Sequence, residues 1–279
     1  MSHAHHHSAQ PPLPPYKHQM VQNVVVCTQS KHQIEECLWA THQPELQKSC
    51  FLARVCALDP PKRCQFRDIA GILQVGPTCG LTALSMLLGG TPTPQHLLVT
   101  AKELHYTNNG EIFSAHNLFQ LICDHLIQPH ASSMISANNA ENSRNARECV
   151  IHEGQLNCAK VRDCLLAGDC ILVPYDPDFN HAPCLKFGHK AHWALIVGYL
   201  ISDINEFFVL ARHGKAKNLA VWSLAALSDS NSNLVEFSQP KGYPDRDFLL
   251  PPGGIGGDFG LRERAIIVKG LPHATIFIR

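Results

Sequence analysis

The sequence contains no long hydrophobic run, no surplus of either charge and no CxxC pair of cysteines. A membrane-spanning helix needs about 18 or more consecutive apolar residues, so we expect no membrane span. Lys and Arg together number 23, and so do Asp and Glu. This balance gives no electrostatic reason to expect nucleic acid or an anionic membrane as a partner. The missing CxxC pair argues against zinc ribbons and thioredoxin-like redox sites.

The 12 cysteines are not accompanied by the apolar N-terminal segment of a secretory signal. Proteins kept in a reducing compartment retain most of their thiols in the free form. We therefore expect a cytoplasmic protein with free cysteines, and not a secreted protein held together by disulfides.

The remaining composition is that of a folded domain preceded by a short leader. Hydrophobic residues make up 45% of the 279 residues and charged residues 16%, which is enough for a sizeable core. Residues 1–20 are rich in His and Pro, so we interpret them as a flexible leader with some polyproline II character. Residues 21–279 are predicted to form a single domain.

The apolar pattern changes along the chain from helical to strand-like. Helices are predicted at 33–52, 79–88, 114–126 and 161–167. Strands are predicted at 170–174, 193–200, 206–212, 219–222, 265–268 and 274–278. The Asn-rich residues 136–147 are predicted to form a surface loop. Helices followed by strands indicate an α+β fold, with N-terminal helices packed on a C-terminal antiparallel sheet.

A candidate nucleophile lies in the segment Gln74-Val-Gly-Pro-Thr-Cys79-Gly80. The Gly-Pro turn and the helix formers after it place Cys79 at a helix N-terminus. Partial positive charge there favours the thiolate, which is the nucleophilic form. Gly80 has no side chain and would let a substrate carbonyl approach the backbone. Gln74 is a candidate donor to the oxyanion, together with the Cys79 backbone N–H.

The candidate general base is His192, which directly precedes the apolar run Trp193-Ala-Leu-Ile-Val. This position would hold an imidazole rigidly at the end of a sheet, as proton transfer requires. If strands 193–200 and 206–212 form a hairpin, paired residue numbers sum to about 405 and His192 faces Arg212-His213. No carboxylate lies there. His213, or Asn218 beyond it, is the candidate to orient the imidazole through its Nδ1–H.

A zinc site is an alternative interpretation of the same region. His181, Cys184, His189 and His192 follow one another with the spacing His-x2-Cys-x4-His-x2-His, and all four are zinc-type ligands. The chain would then be a zinc enzyme or a zinc-stabilised binding module, with Cys79 in a structural role. This spacing matches no common zinc finger and leaves the segment around Cys79 unexplained.

Taken together, the motifs resemble the C39-like branch of the papain-type cysteine peptidases and, more closely, the actin maturation proteases. The resemblance covers roughly residues 65–270, and its most specific segments are 74–81, 110–114, 174–184 and 188–194. It implies a papain-like, C39-like fold. It also implies an enzyme that needs no cofactor. C39 enzymes usually carry an Asp after the second strand, where this sequence has Arg212-His213.

The resemblance also implies a substrate. The expected activity is that of a thiol aminopeptidase that removes an N-acetylated Met or Cys from immature actin, just before an acidic stretch. Basic residues near the base would suit such a substrate, and the candidate contacts are His189, Lys190 and Arg212. In that family a Pro-rich leader is associated with profilin, which makes profilin a second candidate partner. A further alternative is an inactive peptidase fold that acts as an actin or profilin adaptor, but the intact Cys79 and His192 count against it.

Overall fold

The computed structural model of the chain describes residues 37–55, 59–126 and 147–278. These residues all belong to one unit of the chain, Glu35–Arg279. The predicted leader at 1–20, the first residues of the predicted helix 33–52 and nearly all of the predicted loop 136–147 lie outside the described residues. No helix within the described ranges is long and apolar enough to cross a membrane.

Helices and strands are interleaved along the described chain. The helices are α1 (Pro44–Ala53), α2 (Cys79–Leu87), α3 (Pro94–Glu103), α4 (Ala115–Leu126), α5 (Ala159–Leu166) and α6 (Leu224–Ser232). The strands are β1 (Arg63–Arg67), β2 (Glu148–Glu153), β3 (Cys170–Pro177), β4 (Pro183–Cys184), β5 (His192–Ile201), β6 (Phe207–Arg212), β7 (Ala220–Ser223), β8 (Arg264–Lys269) and β9 (Thr275–Ile278). The α+β class predicted from the sequence is confirmed.

Nine strands of the described residues form an antiparallel sheet, whose main path runs β2-β8-β3-β5-β1-β9. β6 pairs with β5 and with β7, and β4 pairs with β3. The predicted separation of N-terminal helices from a C-terminal sheet is wrong, because β1 and β2 lie among the helices in the sequence. β1 has only five residues, Arg-Cys-Gln-Phe-Arg, which is too short and too polar for the apolar pattern to reveal it.

Helices cover the sheet on both faces. α1 to α4 contribute to one cluster of buried hydrophobic residues, and α5 and α6 contribute to a second. Along β5, Leu195 belongs to the first cluster, whereas Ala194 and Ile196 belong to the second, as expected for side chains that alternate between two faces. Burial on both sides explains why β3 and β5 are apolar over nearly their whole length.

The helix that carries the candidate nucleophile, α2, packs directly against β5. It begins at Cys79 and is followed by Gly89 and Gly90, which both have positive φ and can end a helix without strain. A Cβ on Gly80 would lie 3.1 Å from Cδ1 of the Trp193 indole. The missing side chain therefore serves close packing of α2 on β5, and its predicted role in admitting a substrate carbonyl stays a prediction.

The β5–β6 hairpin has a different register from the predicted one. Leu195 pairs with Arg212 and Ile201 pairs with Phe207, so the paired positions are displaced by two to three residues from those predicted. A β-bulge in β5 changes the register within the hairpin, because the extra residue on the bulged strand has no partner opposite it. The group that contacts His192 therefore follows from the observed register and not from the predicted one.

Candidate active site

Cys79 is the first residue of α2, as predicted, and its thiol lies against the start of β5. The groups that act on the pKa of the thiol include the backbone N–H groups of Trp193 and Gly80 and the positive charge of Lys215. All three favour the thiolate, but burial raises the pKa of the Cys79 thiol by more than they lower it. Cys79 therefore rests as a neutral thiol and needs a base to become a nucleophile.

His192 is the first residue of β5 and is 5% exposed. Its Nε2–H donates to the backbone carbonyl of His213, with a nitrogen-to-oxygen distance of 2.5 Å. The Tyr175 ring packs edge-on against the imidazole, with ring centroids 5.8 Å apart. Because a carbonyl can only accept a hydrogen bond, the ring proton belongs on Nε2 and the lone pair on Nδ1. Nδ1 is therefore the basic atom of this side chain.

The His192 ring is uncharged at neutral pH. Burial is the main reason that its pKa falls to about 3, and the nearby charge of Lys215 lowers the pKa further. A neutral imidazole beside a neutral thiol can accept the thiol proton, whereas an imidazolium could not. Cys79 and His192 line the same cleft, so the structure places the two predicted residues at one site.

His213 orients the base in a way that the sequence did not indicate. The predicted contact was between the His213 side chain and Nδ1 of His192, but the contact is made by the His213 backbone carbonyl to Nε2. The His213 ring lies against the rings of His181 and Trp222, at centroid distances of 5.3 and 5.7 Å. Its Nδ1 faces the backbone N–H of Lys215 at 3.4 Å. The side-chain assignment is therefore corrected to the carbonyl.

Gln74 lines the same cleft as Cys79. Its backbone N–H donates to the Gly214 carbonyl at 2.8 Å, and its side-chain Nε2 donates to the Gly76 carbonyl at 2.8 Å. The Nε2 group has a second hydrogen, and Oε1 is buried without a hydrogen-bond partner. The Gln74 amide is thus held beside the start of α2, and the Gly76 carbonyl binds only one of its two N–H hydrogens.

The three predicted substrate contacts have different fates. His189 and Lys190 are exposed and line the cleft, and His189 Nε2 lies 2.6 Å from Oε1 of Glu236. Arg212 is 4% exposed and does not line the cleft. Its guanidinium forms an ion pair with Glu45 and donates to the Ile69 and Lys217 carbonyls.

Arg212 is therefore a structural residue that ties β6 to α1, and its predicted role in substrate binding is wrong. The guanidinium is engaged by Glu45 and by two backbone carbonyls away from the cleft, so it is not placed to contact a ligand there. The sequence could not reveal this because Glu45 is 167 residues away.

The cleft itself has a volume of about 1030 Å³. The basic residues that line it include Lys186, His189, Lys190, Lys215 and Lys241, which we call the basic cluster. The aromatic residues that line it include Phe113, Phe237, Tyr243 and Phe248, which we call the aromatic cluster. The Phe113 and Phe237 rings meet edge to face with centroids 5.3 Å apart. The cleft therefore offers both an apolar surface and positive charge.

Sequence reasoning missed the aromatic cluster. Three of its members lie in the stretch between α6 and β8, which contains no helix or strand. Hydrophobic periodicity cannot detect residues in irregular structure. The length of this stretch was the available signal, because loops of more than about 12–15 residues inside compact domains are usually functional.

The buried histidines make a prediction about stability. The folded pKa is about 3 for His192 and, because of burial and the neighbouring His181, about 4 for His213, whereas an unfolded His titrates near ~6.5. Below that pH the unfolded chain binds more protons than the folded one. The free energy of unfolding should therefore fall as pH drops from 6.5 towards 4, by up to about 1.4 kcal/mol per pH unit for each ring.

Urea unfolding at pH 7, 6 and 5 measures the slope of the free energy of unfolding against pH. His213→Gln should make it shallower, and His96→Gln, which changes an exposed His on α3, should leave it unchanged. The same slope in wild type and His213→Gln would contradict the assignment of a depressed pKa to His213.

Comparison with known proteins identifies the family of the chain. A family model described as Actin maturation protease-like, C-terminal domain, matches residues 69–200. A Drosophila melanogaster protein named Actin maturation protease is 57% identical over 245 residues, which cover 88% of this chain and 85% of that protein. This chain belongs to the actin maturation protease family. The resemblance seen in the sequence motifs is thus confirmed.

Two vertebrate members of the actin maturation protease family are more distant. A Danio rerio protein of that name is 31% identical over 229 residues, which cover 67% of this chain and 68% of the relative. A Mus musculus protein of that name is 28% identical over 243 residues, which cover 72% of this chain and 62% of the relative. The span matched by the family model includes Gln74, Cys79 and His192 but ends before His213.

The structure does not group the four candidate ligands of the alternative zinc site. No three His, Cys, Asp or Glu side chains within the described ranges are placed to hold a metal ion, and the four predicted ligands are all described. His192 is hydrogen-bonded to the His213 carbonyl, His189 pairs with Glu236, and the His181 ring lies against that of His213. His181, Cys184, His189 and His192 are therefore not grouped around one centre in the part of the chain that the structure describes.

Proposed function

We propose that this chain is a thiol-dependent aminopeptidase that removes an N-acetylated Met or Cys from the N-terminus of immature actin. The observation that carries the proposal is that Cys79, at the start of α2, and His192, at the start of β5, line the same cleft. The name of the relatives, Actin maturation protease, supports actin as the substrate. The proposed reaction uses only the chain's own residues and water.

In the proposed reaction, His192 Nδ1 takes the proton of the Cys79 thiol as the sulfur attacks the carbonyl carbon of the acetylated residue. The His213 carbonyl stabilises the imidazolium that forms, through Nε2–H. The imidazolium then gives its proton to the leaving amino group of the shortened actin. Finally His192 Nδ1 takes a proton from water as the water oxygen attacks the thioester carbonyl carbon. The C–S bond breaks, the acetylated amino acid is released, and the imidazolium returns the proton to the Cys79 sulfur.

The negative charge that develops on the carbonyl oxygen needs hydrogen-bond donors close by. The Cys79 backbone N–H lies at the start of α2, where the helix N-terminus favours negative charge. The second donor in the proposal is the hydrogen of Gln74 Nε2 that is not engaged with Gly76. The position of the Gln74 amide in the cleft, fixed by its hydrogen bond to the Gly76 carbonyl, supports the oxyanion role predicted for Gln74.

The two clusters of the cleft suit the proposed substrate. The aromatic cluster provides an apolar surface for a Met or Cys side chain and its acetyl group. The basic cluster provides attraction for the acidic residues that follow the removed one. Both surfaces lie in the same cleft as Cys79, as cleavage at a chain terminus next to an acidic segment requires.

The arrangement also supports a wider proposal about the protein. A Cys on a helix facing a His on an antiparallel sheet is the expected layout of the papain-like, C39-like fold, which we propose for a single domain at 21–279. We place the protein in the cytoplasm, a reducing compartment in which the proposed thiol nucleophile stays reduced. Profilin is the proposed partner of the Pro-rich leader, which lies outside the described residues.

Intact-mass analysis of immature actin tests the proposal directly. Incubation with the purified chain should remove the mass of one acetylated Met or Cys and no more. Prior treatment of the chain with a thiol-alkylating reagent should prevent the change. Unchanged actin mass with untreated, folded chain would rule out the peptidase and favour the adaptor.

Charge attraction in the cleft predicts a salt-dependent preference. Acetyl-Met peptides with Asp-Asp at the next two positions should be cleaved faster than peptides with Asn-Asn at low ionic strength. Each pair at a partly solvated rim is worth about 0.5–1 kcal/mol, or a few-fold in kcat/KM. The advantage should shrink at 1 M salt, where the Debye length is only about 3 Å.

Matched variants locate this attraction on the basic cluster. Lys190→Gln should reduce the preference for Asp-Asp, whereas Lys102→Gln, an exposed Lys on α3 outside the cleft, should not. Equal rates for the two peptides at low salt would show that the basic cluster does not contact the residues after the cleaved bond.

A further inference from the structure

Asp176 is a carboxylate with no solvent exposure that lies near the base but takes no part in the proposed proton transfers. It is part of β3, whose neighbouring residue Tyr175 pairs with His192 in β5. Burying a charged carboxylate is costly unless it is fully hydrogen-bonded. No salt bridge joins Asp176 to a Lys, Arg or His of the described residues. Its partners must therefore be sought among backbone groups.

The Asp176 carboxylate accepts three backbone hydrogen bonds from one short loop. Oδ2 accepts from the N–H groups of Lys186, at 3.1 Å, and Gly188, at 2.6 Å. Oδ1 accepts from the N–H of Lys190, at 3.0 Å. These donors span the loop between β4 and β5, which ends at His192. Two of the donors also belong to the basic cluster of the cleft.

This loop contains two successive residues in the left-handed region of backbone conformation. Phe187 and Gly188 both have positive φ, 59° and 97°, which is unfavourable for a residue such as Phe. A Cβ on Gly188 would lie 2.4 Å from Cδ1 of Ile255 and 2.7 Å from the Glu236 carbonyl oxygen. The loop therefore packs closely against the stretch between α6 and β8. The Asp176 carboxylate also binds the loop, through its backbone N–H groups.

We propose that Asp176 is a positioning residue, which holds the β4–β5 loop so that His192 stays aligned with the Cys79 thiol. This inference rests on the proposed function, since it assigns Asp176 a role in that reaction. The carboxylate is fixed to β3 and binds the loop up to two residues before the base. A displacement of the loop would move the start of β5, and a displacement of about 1 Å can cost a hundred-fold in rate.

Asp176→Asn tests the proposal with little change in volume. The amide has one acceptor oxygen, and its NH2 group must face at least one backbone N–H of the loop, so that one hydrogen bond becomes a clash of donors. We expect kcat to fall about ten- to a hundred-fold. Asp178→Asn is the matched control, because Asp178 accepts backbone N–H groups of Asn180 and Ala182 in the neighbouring turn and not in the loop.

Alkylation of Cys79 by iodoacetamide supplies a readout that needs no actin. In this reaction the thiol sulfur displaces iodide while His192 takes the thiol proton, so the rate reports the alignment of the pair. Peptide mapping of the full chain at pH 7 should show Cys79 reacting about ten-fold or more slowly in Asp176→Asn, close to the rate in His192→Ala. Asp178→Asn should react within two-fold of wild type.

Wild-type alkylation at Cys79 in folded Asp176→Asn would overturn the inference. If that variant does not fold, hydrogen exchange of the wild-type chain decides. The amides of Lys186, Gly188 and Lys190 should exchange slowly, and exchange at the rate of a free peptide would equally overturn it. A third outcome is slow alkylation of Cys79 in Asp176→Asn together with no cleavage of actin by the wild-type chain. It would support the positioning role of Asp176 and contradict only the proposed function.

Discussion

Cys79→Ala is expected to abolish cleavage of immature actin while the chain remains folded. In the proposed reaction the thiol forms the bond to the substrate, so no residual covalent route exists without it. Loss of a nucleophile removes most of the rate enhancement, on the order of 10⁴-fold or more. Ala is smaller than Cys and helix-favouring, and α2 should therefore form as before.

The measurement for Cys79 is the rate of mass loss of immature actin at equal concentrations of folded protein. Cys123→Ala provides a matched control, because Cys123 is a partly buried cysteine on another helix, α4, and does not line the cleft. It should retain wild-type activity. A Cys79→Ala variant with even a tenth of wild-type activity would show that Cys79 is not the nucleophile.

His192→Ala is expected to lower kcat/KM by about 10²–10⁴-fold, the usual contribution of a general base. The loss should be large because burial raises the pKa of the Cys79 thiol, so that few molecules carry a thiolate without a base. His96→Ala, on the exposed side of α3, is the matched control and should behave like wild type.

The pH profile separates a lost base from a damaged fold. If His192 normally removes the thiol proton, the residual activity of His192→Ala should rise with pH, as hydroxide takes over the deprotonation of Cys79. A folded His192→Ala variant with nearly wild-type kcat/KM at pH 7 would show that another group serves as the base.

The two central residues of the site could be predicted because their signals are local. The Gly-Pro turn before Cys79 and the helix formers after it lie within one short segment, and α2 begins at Cys79 as expected. His192 stands directly before an apolar run, and β5 begins there. Starts of helices and strands depend mainly on neighbouring residues.

The partner of the base could not be predicted in the same way. It depends on the register between β5 and β6, and a bulge in β5 shifts that register. A shift of one residue changes which groups face each other. The structure places the His213 carbonyl against His192, and a backbone carbonyl is present at every position, so no residue type in the sequence marks it.

By itself the sequence determined the α+β class, the family, the helix start at Cys79 and the strand start at His192. The tertiary structure decided which charges face the cleft, since Lys190 lines it while Arg212 is buried against Glu45. It also decided what holds the base, because the Asp176 carboxylate binds a loop that begins ten residues later in the chain. The physical reason is the same in each case. Turn and helix propensities act between neighbours, whereas burial and hydrogen-bond partners depend on which distant segments the fold brings together.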